Sequence, residues 1–169
     1  MTTPLLLSVE PLTAAAFAPF GDVVEARPTQ TREANQGTAR RHDRLARFES
    51  VRPKAEANLA IFESRALALP LPLRLFERHA HSTQLFLPMA ASRYLVVTAP
   101  DAGDGGPDFA KARAFLAGPT QGVNYRAGCW HHPIVALDRD ATFAMLAWED
   151  GGAEDAEERM LPRPMTVQD

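Results

Sequence analysis

Short runs of alternating apolar and polar residues, separated by turns that contain glycine or proline, restrict the fold of this chain more than any other feature. In the clearest run, residues 71–79, Glu77 and His79 share a strand face with two leucines. Similar runs predict further strands at residues 5–9, 22–25, 57–64, 84–87, 93–98, 134–137 and 142–148. A helical pattern is confined to residues 14–17, which Thr13 can cap. The chain is therefore predicted to be mostly β, a sandwich or barrel with a few short helices.

Length, charge and cysteine content narrow the class of protein. A chain of 169 residues is most simply one domain spanning 1–169. The net charge of −3 indicates no basic surface for nucleic acid, and no apolar run reaches the ~20 residues that a membrane helix needs. Cys129 is the only cysteine, which excludes an internal disulfide and favours a reducing compartment, so we expect a cytoplasmic protein. The tail from about 149 to 169 begins acidic and Gly-containing, and we expect loop or frayed structure there.

Polar groups suited to chemistry concentrate in two segments, 77–84 and 121–133. A lone histidine in a strand is more often structural than a ligand, but this clustering favours a functional interpretation. If the second segment is extended, His131 and His132 point to opposite faces, so only one of them can face a barrel interior. Pro133 favours extended backbone at His132, which supports that separation.

The spacing of these groups resembles the metal motif of cupin barrels, which is H-x-H-x(3,4)-E in one strand pair and G-x-x-H in another. Gly128-Cys-Trp-His131 has the second spacing and selects His131. The first spacing is met by Glu77-x-His79-x4-Gln84, with Glu for the first His and Gln for Glu. The predicted metal ligands, or polar floor of a pocket, are Glu77, His79, Gln84 and His131. Oxygen and imidazole ligands suit Ni, Mn, Fe or Zn, but glutamine is a weak ligand, so the same groups without an ion are the alternative.

Blocks along most of the chain resemble the ureidoglycolate lyase family. The most specific are QGVNY at 121–125 and WHHP at 130–133, and weaker blocks support them at 16–25, 35–41, 61–62, 77–79, 83–84 and 113–115. The resemblance implies a cupin-like double-stranded β-helix (jelly-roll) barrel, usually a homodimer, with nickel as its metal. The implied reaction cleaves a small-molecule substrate, (S)-ureidoglycolate, to glyoxylate and urea in allantoin catabolism.

The resemblance also implies roles outside the metal set. Arg41, in a polar loop at 27–44, is expected to pair with the substrate carboxylate, since a guanidinium binds a carboxylate through two parallel hydrogen bonds. A solvated surface loop is the plainer interpretation of that segment. Asn35 and Asn124 are further substrate-binding candidates. His132 or Tyr125 is expected to donate or accept the catalytic proton, a choice that the sequence leaves open.

One departure from the family pattern bears on the substrate. Where the family usually has Asp-Arg after an apolar strand, this chain has Ala147-Trp148-Glu149-Asp150. If that arginine holds the substrate carboxylate, its replacement changes what the site accepts. Two alternatives therefore stand beside the lyase. One is a non-catalytic cupin that binds a small carboxylate as a sensor or scaffold, and the other is a cupin enzyme acting on a related 2-hydroxy acid amide.

Overall fold

The computed structural model describes residues 4–169, apart from the side chain of Gln30. The strands are β1 Leu5–Pro11, β2 Gly21–Val24, β3 Thr31–Ala34, β4 Ala39–His42, β5 Glu56–Ser64, β6 Leu71–Arg78, β7 Gln84–Ala90, β8 Tyr94–Ala99, β9 Arg113–Ala117, β10 Gly122–Tyr125, β11 Trp130–His131, β12 Val135–Ala136, β13 Ala141–Glu149 and β14 Glu157–Gln168. One short helix, α1, spans Ala14–Phe17, and single 3₁₀ turns lie at Pro28–Gln30, Asn35–Gly37 and Phe109–Lys111. The prediction of a mostly-β barrel with a few short helices is confirmed.

Two sheets build the barrel. The smaller has the strand order β2-β10-β7-β13-β5, and the larger has the order β11-β6-β14-β1-β9-β8-β12. The short strand β11 pairs with β6 on one side and with β8 on the other, so the larger sheet closes into a ring. The five-stranded sheet packs against the outside of this ring. The junction of β11 and β6 thereby faces the space between ring and sheet.

Alternating side chains fill two apolar cores. One core lies between the five-stranded sheet and the ring, and it includes the fully buried rings of Phe17, Tyr94, Phe115, Tyr125 and Phe143. The second core includes Phe76, Leu95, Val97, Trp130 and Met165 from the strands of the ring. Residues of β8 alternate between the two cores. In β6, Leu71, Leu73 and Phe76 all belong to the second core, so the predicted alternation is interrupted between Leu73 and Phe76, where the register with β14 also shifts. Glu77 follows Phe76 and lies on the opposite face of β6, so it does not share a face with Leu73.

Two local features stand out at the start of the smaller sheet, and the first of them was predicted. The Thr13 hydroxyl accepts a hydrogen bond from the Ala16 backbone N–H and caps α1, as its position predicted. The absence of a side chain at Gly122 allows β10 to lie close against β7. A Cβ atom at Gly122 would lie 2.8 Å from the Phe86 carbonyl oxygen and 2.5 Å from Leu87 Cδ2, so only glycine fits without a shift.

The prediction of a loop or frayed tail from about 149 to 169 is wrong for its second half. Residues 157–168 form β14, which pairs antiparallel with β6 and parallel with β1. Met165 and Val167 are buried on one face of this strand, so its pairing and burial outweigh the polar composition that precedes it. The acidic stretch between Glu149 and Glu157 is a turn, as expected.

The polar loop at 27–44 contains a hairpin, which we call the arm. Its strands β3 and β4 pair with each other and form a separate two-stranded sheet. Arg32 and Arg41 share the carboxylate of Asp43, at 2.9 and 2.6 Å. The arm is therefore organised largely by its own contacts. Across residues 4–169, the structure has no helix long and apolar enough to cross a membrane.

Candidate active site

Glu77, His79 and His131 form one compact polar group where β6 and β11 meet. His131 lies directly opposite Glu77 in the β11–β6 register, and alternation along β6 places His79 on the same face as Glu77. Their potential ligand atoms all lie within 4.8 Å of one another. The two imidazole rings are nearly parallel, with centroids 6.1 Å apart. The strand pairing thus assembles the group that the sequence spacing predicted.

The contacts of His131 determine which of its nitrogens faces the group. Nδ1 lies 2.9 Å from the carbonyl oxygen of Cys129. Because a carbonyl only accepts hydrogen bonds, the neutral ring carries its proton on Nδ1 and a lone pair on Nε2. Nε2 lies 3.5 Å from Glu77 Oε1. Two lone pairs facing each other at this distance repel, unless a proton or a metal cation lies between them.

Buried polar atoms without hydrogen-bond partners bear on whether a metal ion fits between these residues. His79 Nδ1, His131 Nε2 and Gln84 Oε1 are all buried without a hydrogen-bond partner. A buried polar atom without a partner costs roughly 1–3 kcal/mol, so a cation bound by these atoms would relieve that cost. Imidazole nitrogens with carboxylate and amide oxygens are ligands for divalent first-row metals. The residues present therefore fit a divalent metal, while its identity is open.

The protonation of the group also suits metal binding. Burial, the largest influence, would raise the pKa of Glu77, but the hydrogen bond and positive charge that a proton on His131 Nε2 provides outweigh burial, so this pKa lies below its usual value. Burial lowers the pKa of His79, and repulsion from His131 lowers it further. At neutral pH the group thus holds an ionised carboxylate and a neutral His79. These are the forms that bind a cation.

The group opens into a cavity of about 360 Å³ between the two sheets. Glu77 and His79 line it from the ring. The residues that the five-stranded sheet contributes include Gln84, Phe86, Met145 and Glu149. Gln84, the fourth predicted ligand, is buried and lines the same cavity as Glu77 and His79. A polar floor under a partly apolar wall is the usual form of a small-molecule site.

Comparison with known proteins places this site in a family. A family model described as ureidoglycolate lyase matches residues 4–168. This chain belongs to the ureidoglycolate lyase family. A ureidoglycolate lyase of Brucella melitensis biotype 2 is 44% identical over 149 residues, which cover 88% of this chain and 85% of that protein. One from Azotobacter vinelandii is 41% identical over 141 residues, 83% of this chain and 84% of that protein.

Solved structures with a similar shape are more distant. The epimerase RmlC from Legionella pneumophila has a TM-score of 0.46 and 14% identity, covering 79% of this chain and 69% of that one. A 3,4-ketoisomerase from Helicobacter canadensis has a TM-score of 0.45 and 14% identity, covering 80% and 87%. At these values the likeness says nothing about the reaction of this ureidoglycolate lyase family member.

Tyr125, one of the two predicted proton-transfer residues, lies against the group. Its ring stacks on that of His131 with centroids 3.9 Å apart. The hydroxyl is buried without a hydrogen-bond partner, and burial raises the Tyr125 pKa well above its usual value. The phenol is therefore protonated at neutral pH and available as a donor.

His132, the other proton-transfer candidate, is not brought to the group. Its Nδ1 lies 2.7 Å from the Pro133 carbonyl oxygen, and its ring contacts Phe76 edge-on with centroids 6.5 Å apart. Phe76 belongs to the core on the other side of β6, so the two adjacent histidines do face opposite ways, as alternation predicted. Burial also lowers the His132 pKa.

The predicted substrate-binding residues lie elsewhere. Asn35 and Arg41 are on the arm, where Arg41 pairs with Asp43. Asn124 is buried on the face of β10 opposite Tyr125 and donates hydrogen bonds to Asp22 Oδ2 and to the Arg47 carbonyl oxygen. It lines a second, larger cavity of about 480 Å³, whose lining residues include none of the metal group, Glu77, His79 and His131. We place the chemistry in the smaller cavity because Glu77 and His79, two members of the group that could hold a metal, line it.

The lone thiol and two wall residues complete the account of the site. Cys129 is buried, which raises the pKa of its thiol to about 12, so its environment suits an inert thiol rather than a nucleophile.

The sequence reasoning missed Met145 and Glu149 as cavity residues. Alternation in β13 carries the signal, because Phe143, Met145 and Glu149 share one strand face.

Proposed function

We propose that this chain cleaves (S)-ureidoglycolate to glyoxylate and urea, as a carbon–nitrogen lyase. The observation that carries the proposal is the buried Glu77–His79–His131 group on a cavity, in a member of the ureidoglycolate lyase family. A role in allantoin catabolism and a cytoplasmic location remain predictions.

The reaction defines what the site must do. One carbon of ureidoglycolate carries a hydroxyl, a carboxylate and the ureido nitrogen. The hydroxyl loses its proton as the carbon–nitrogen bond breaks, the carbon becomes the aldehyde of glyoxylate, and the departing nitrogen gains a proton to give urea. Positioned acid and base groups typically contribute ~10²–10⁴-fold to such a step.

A divalent metal would be held by the imidazoles of His79 and His131 and by the oxygens of Glu77 and Gln84. Nickel is the metal that the family resemblance implies, and it remains a prediction. When bound, such an ion supplies Lewis acidity, which lowers the pKa of a coordinated hydroxyl. The residues of the chain set its site, since the bond from His131 Nδ1 to the Cys129 carbonyl keeps the Nε2 lone pair pointed at the group.

Tyr125 is the better supported of the two proton-transfer candidates. Its phenol is protonated and adjacent to His131, whereas His132 lies on the far side of the strand. We therefore assign Tyr125 the protonation of the departing nitrogen. The His132 ring instead packs against Phe76, which belongs to the core on the other side of β6.

The three predicted substrate-binding residues do not line the smaller cavity, so each needs a further condition to contact the substrate. They are Arg41, Asn35 and Asn124. For Arg41 and Asn35 the arm must close towards the cavity and Arg41 must leave Asp43. For Asn124 the side chain must act through the second cavity, since it lies on the outer face of β10. Substituting these residues should therefore affect the reaction less than substituting His79.

The outer face of the five-stranded sheet supports the homodimer that the resemblance implies. Leu59 and Ile61 of β5 are 71% and 56% exposed, and Met89 of β7 is 63% exposed. The register aligns Leu59 with Leu146 and Leu85 on this same face. Exposed apolar side chains on one sheet face are typical of a protein interface, and a two-fold dimer would bury Leu59, Ile61 and Met89.

A substrate panel tests the proposed function. The metal-loaded protein is given (S)-ureidoglycolate and related 2-hydroxy acid amides, and urea, ammonia and glyoxylate are measured. The proposal predicts urea and glyoxylate in equal amounts from ureidoglycolate. Turnover of another amide alone would show a different enzyme, and thermal stabilisation by small carboxylates without any turnover would show a binding protein.

A further inference from the structure

The cavity carries negative charge although the proposed substrate is an acid. Glu63, Glu77 and Glu149 all line it, and none of its lining residues within 4–169 is a lysine or an arginine. With the arm in its present position, a metal held by Glu77, His79 and His131 would be the cation available to the substrate carboxylate. Glu149, which the metal group does not include, needs a different kind of partner, one that donates hydrogen bonds.

The position of Glu149 directs its carboxylate towards the cavity. Alternate residues of β13, from Ala141 to Ala147, are buried against the core, and Glu149 ends the strand on that same face. Asn58 of β5 donates a hydrogen bond to Glu149 Oε2 at 2.7 Å. The other oxygen, Oε1, has no donor among the described side chains. A carboxylate has about four acceptor sites, so most of its capacity is free.

We propose that Glu149 recognises the terminal amino group of the ureido end of the substrate, so that the site selects carbamoyl over acyl compounds. This inference rests on the proposed function. The ureido group ends in an –NH₂ whose two N–H bonds can only donate, and a carboxylate only accepts. Hydrogen bonds to an ionised acceptor are shorter and roughly twice as strong as neutral ones. Glu149 therefore determines specificity from the wall of the cavity that β13 provides.

Two inert ligands isolate this contact. N-carbamoylglycine and N-acetylglycine both have a carboxylate and an amide but lack the 2-hydroxyl, so neither can undergo the cleavage. They differ only in an –NH₂ or a –CH₃ at the far end, which are nearly the same size. Their dissociation constants are measured by calorimetry on the metal-loaded protein. We expect N-carbamoylglycine to bind about tenfold or more tightly than N-acetylglycine, the ratio that one charge-assisted hydrogen bond supplies.

Variants of Glu149 should change this ratio and little else. Glu149→Gln keeps an acceptor without its charge and should give an intermediate ratio, while Glu149→Met keeps the length without an acceptor and should bring the ratio to about one. Glu56→Gln is the matched control. Glu56 lies opposite Glu149 in the β5–β13 register but does not line the cavity, so its ratio should equal that of the wild type.

The outcomes separate this proposal from the proposed function. Equal affinities in the wild type, including no measurable binding of either ligand, overturn the assignment, as does a preference that survives in Glu149→Gln and Glu149→Met alike. Loss of bound metal from Glu149→Gln also overturns it, because Glu149 would then be a metal ligand. Neither compound is cleaved, so these results do not depend on lyase activity, which the substrate panel tests separately. Thermal unfolding confirms that each variant is folded.

Discussion

The repulsion between Glu77 and the Nε2 lone pair of His131 predicts a stability that depends on metal. A ligand that binds only the folded chain raises the free energy of unfolding by RT ln(1 + [L]/Kd), about 2.7 kcal/mol at a free concentration of 100 Kd. His131→Phe removes both ring nitrogens but keeps a ring to stack on Tyr125, which lies 3.9 Å away between centroids in the native chain. The variant should lose most of the metal-dependent increment, because one of the three closely grouped ligands is gone.

Guanidinium chloride unfolding near neutral pH, with and without Ni²⁺, measures this increment. His132→Ala is the matched control, since its side chain packs on Phe76 outside the group. That variant loses packing equally in the loaded and metal-free forms, so its increment should match that of the wild type. An increment that survives in His131→Phe, or a wild type that shows none, would refute the reasoning.

Three other side chains give independent outcomes. Tyr125→Phe removes a buried hydroxyl without a partner, so the metal-free protein should gain about 1 kcal/mol in unfolding free energy while kcat falls about 10²-fold. Chemical unfolding and steady-state kinetics measure these effects, and an unchanged kcat would remove Tyr125 from proton transfer. Leu59→Asp should convert the dimer to monomers in light scattering, and a monomeric wild type would contradict the proposed interface. Burial lowers the pKa of both His79 and His132 in the folded chain, whereas the unfolded chain binds these protons below pH ~6.5. The free energy of unfolding of the metal-free protein should therefore be highest above pH ~6.5. It should decline as the pH falls towards the pKa values of His79 and His132 in the folded chain, and this decline should be less steep in His132→Phe. Unfolding at a series of pH values checks the slope, and equal slopes would argue against the assignment to His132.

Local patterns predicted much of the fold and the metal group. Alternation in β6 placed Glu77 and His79 on one face, and the spacing Gly128-Cys-Trp-His131 selected the histidine that the structure brings to them. Both inferences needed only the two-residue period of a strand. The helix cap at Thr13 was equally local.

Long-range contacts account for what the sequence did not predict. The strand β14 is fixed by its neighbours β6 and β1, so the composition near its start was misleading. The closure of the ring depends on the two-residue strand β11, which is too short for a periodic signal. Arg41 was expected at the substrate, but nothing in the sequence tells where a free-standing hairpin points. Glu149 became visible as a cavity residue only when β13 was paired with β7 and β5.

The measurement that tests the central claim most directly is product release by the wild type and His79→Ala. Metal-loaded wild-type protein should convert (S)-ureidoglycolate to equal amounts of glyoxylate and urea, and a chelator should stop the reaction. His79→Ala should release neither product above the rate in buffer, because the cavity loses a buried imidazole of the metal group. Full activity in His79→Ala, or no urea from the loaded wild type, would contradict the assignment.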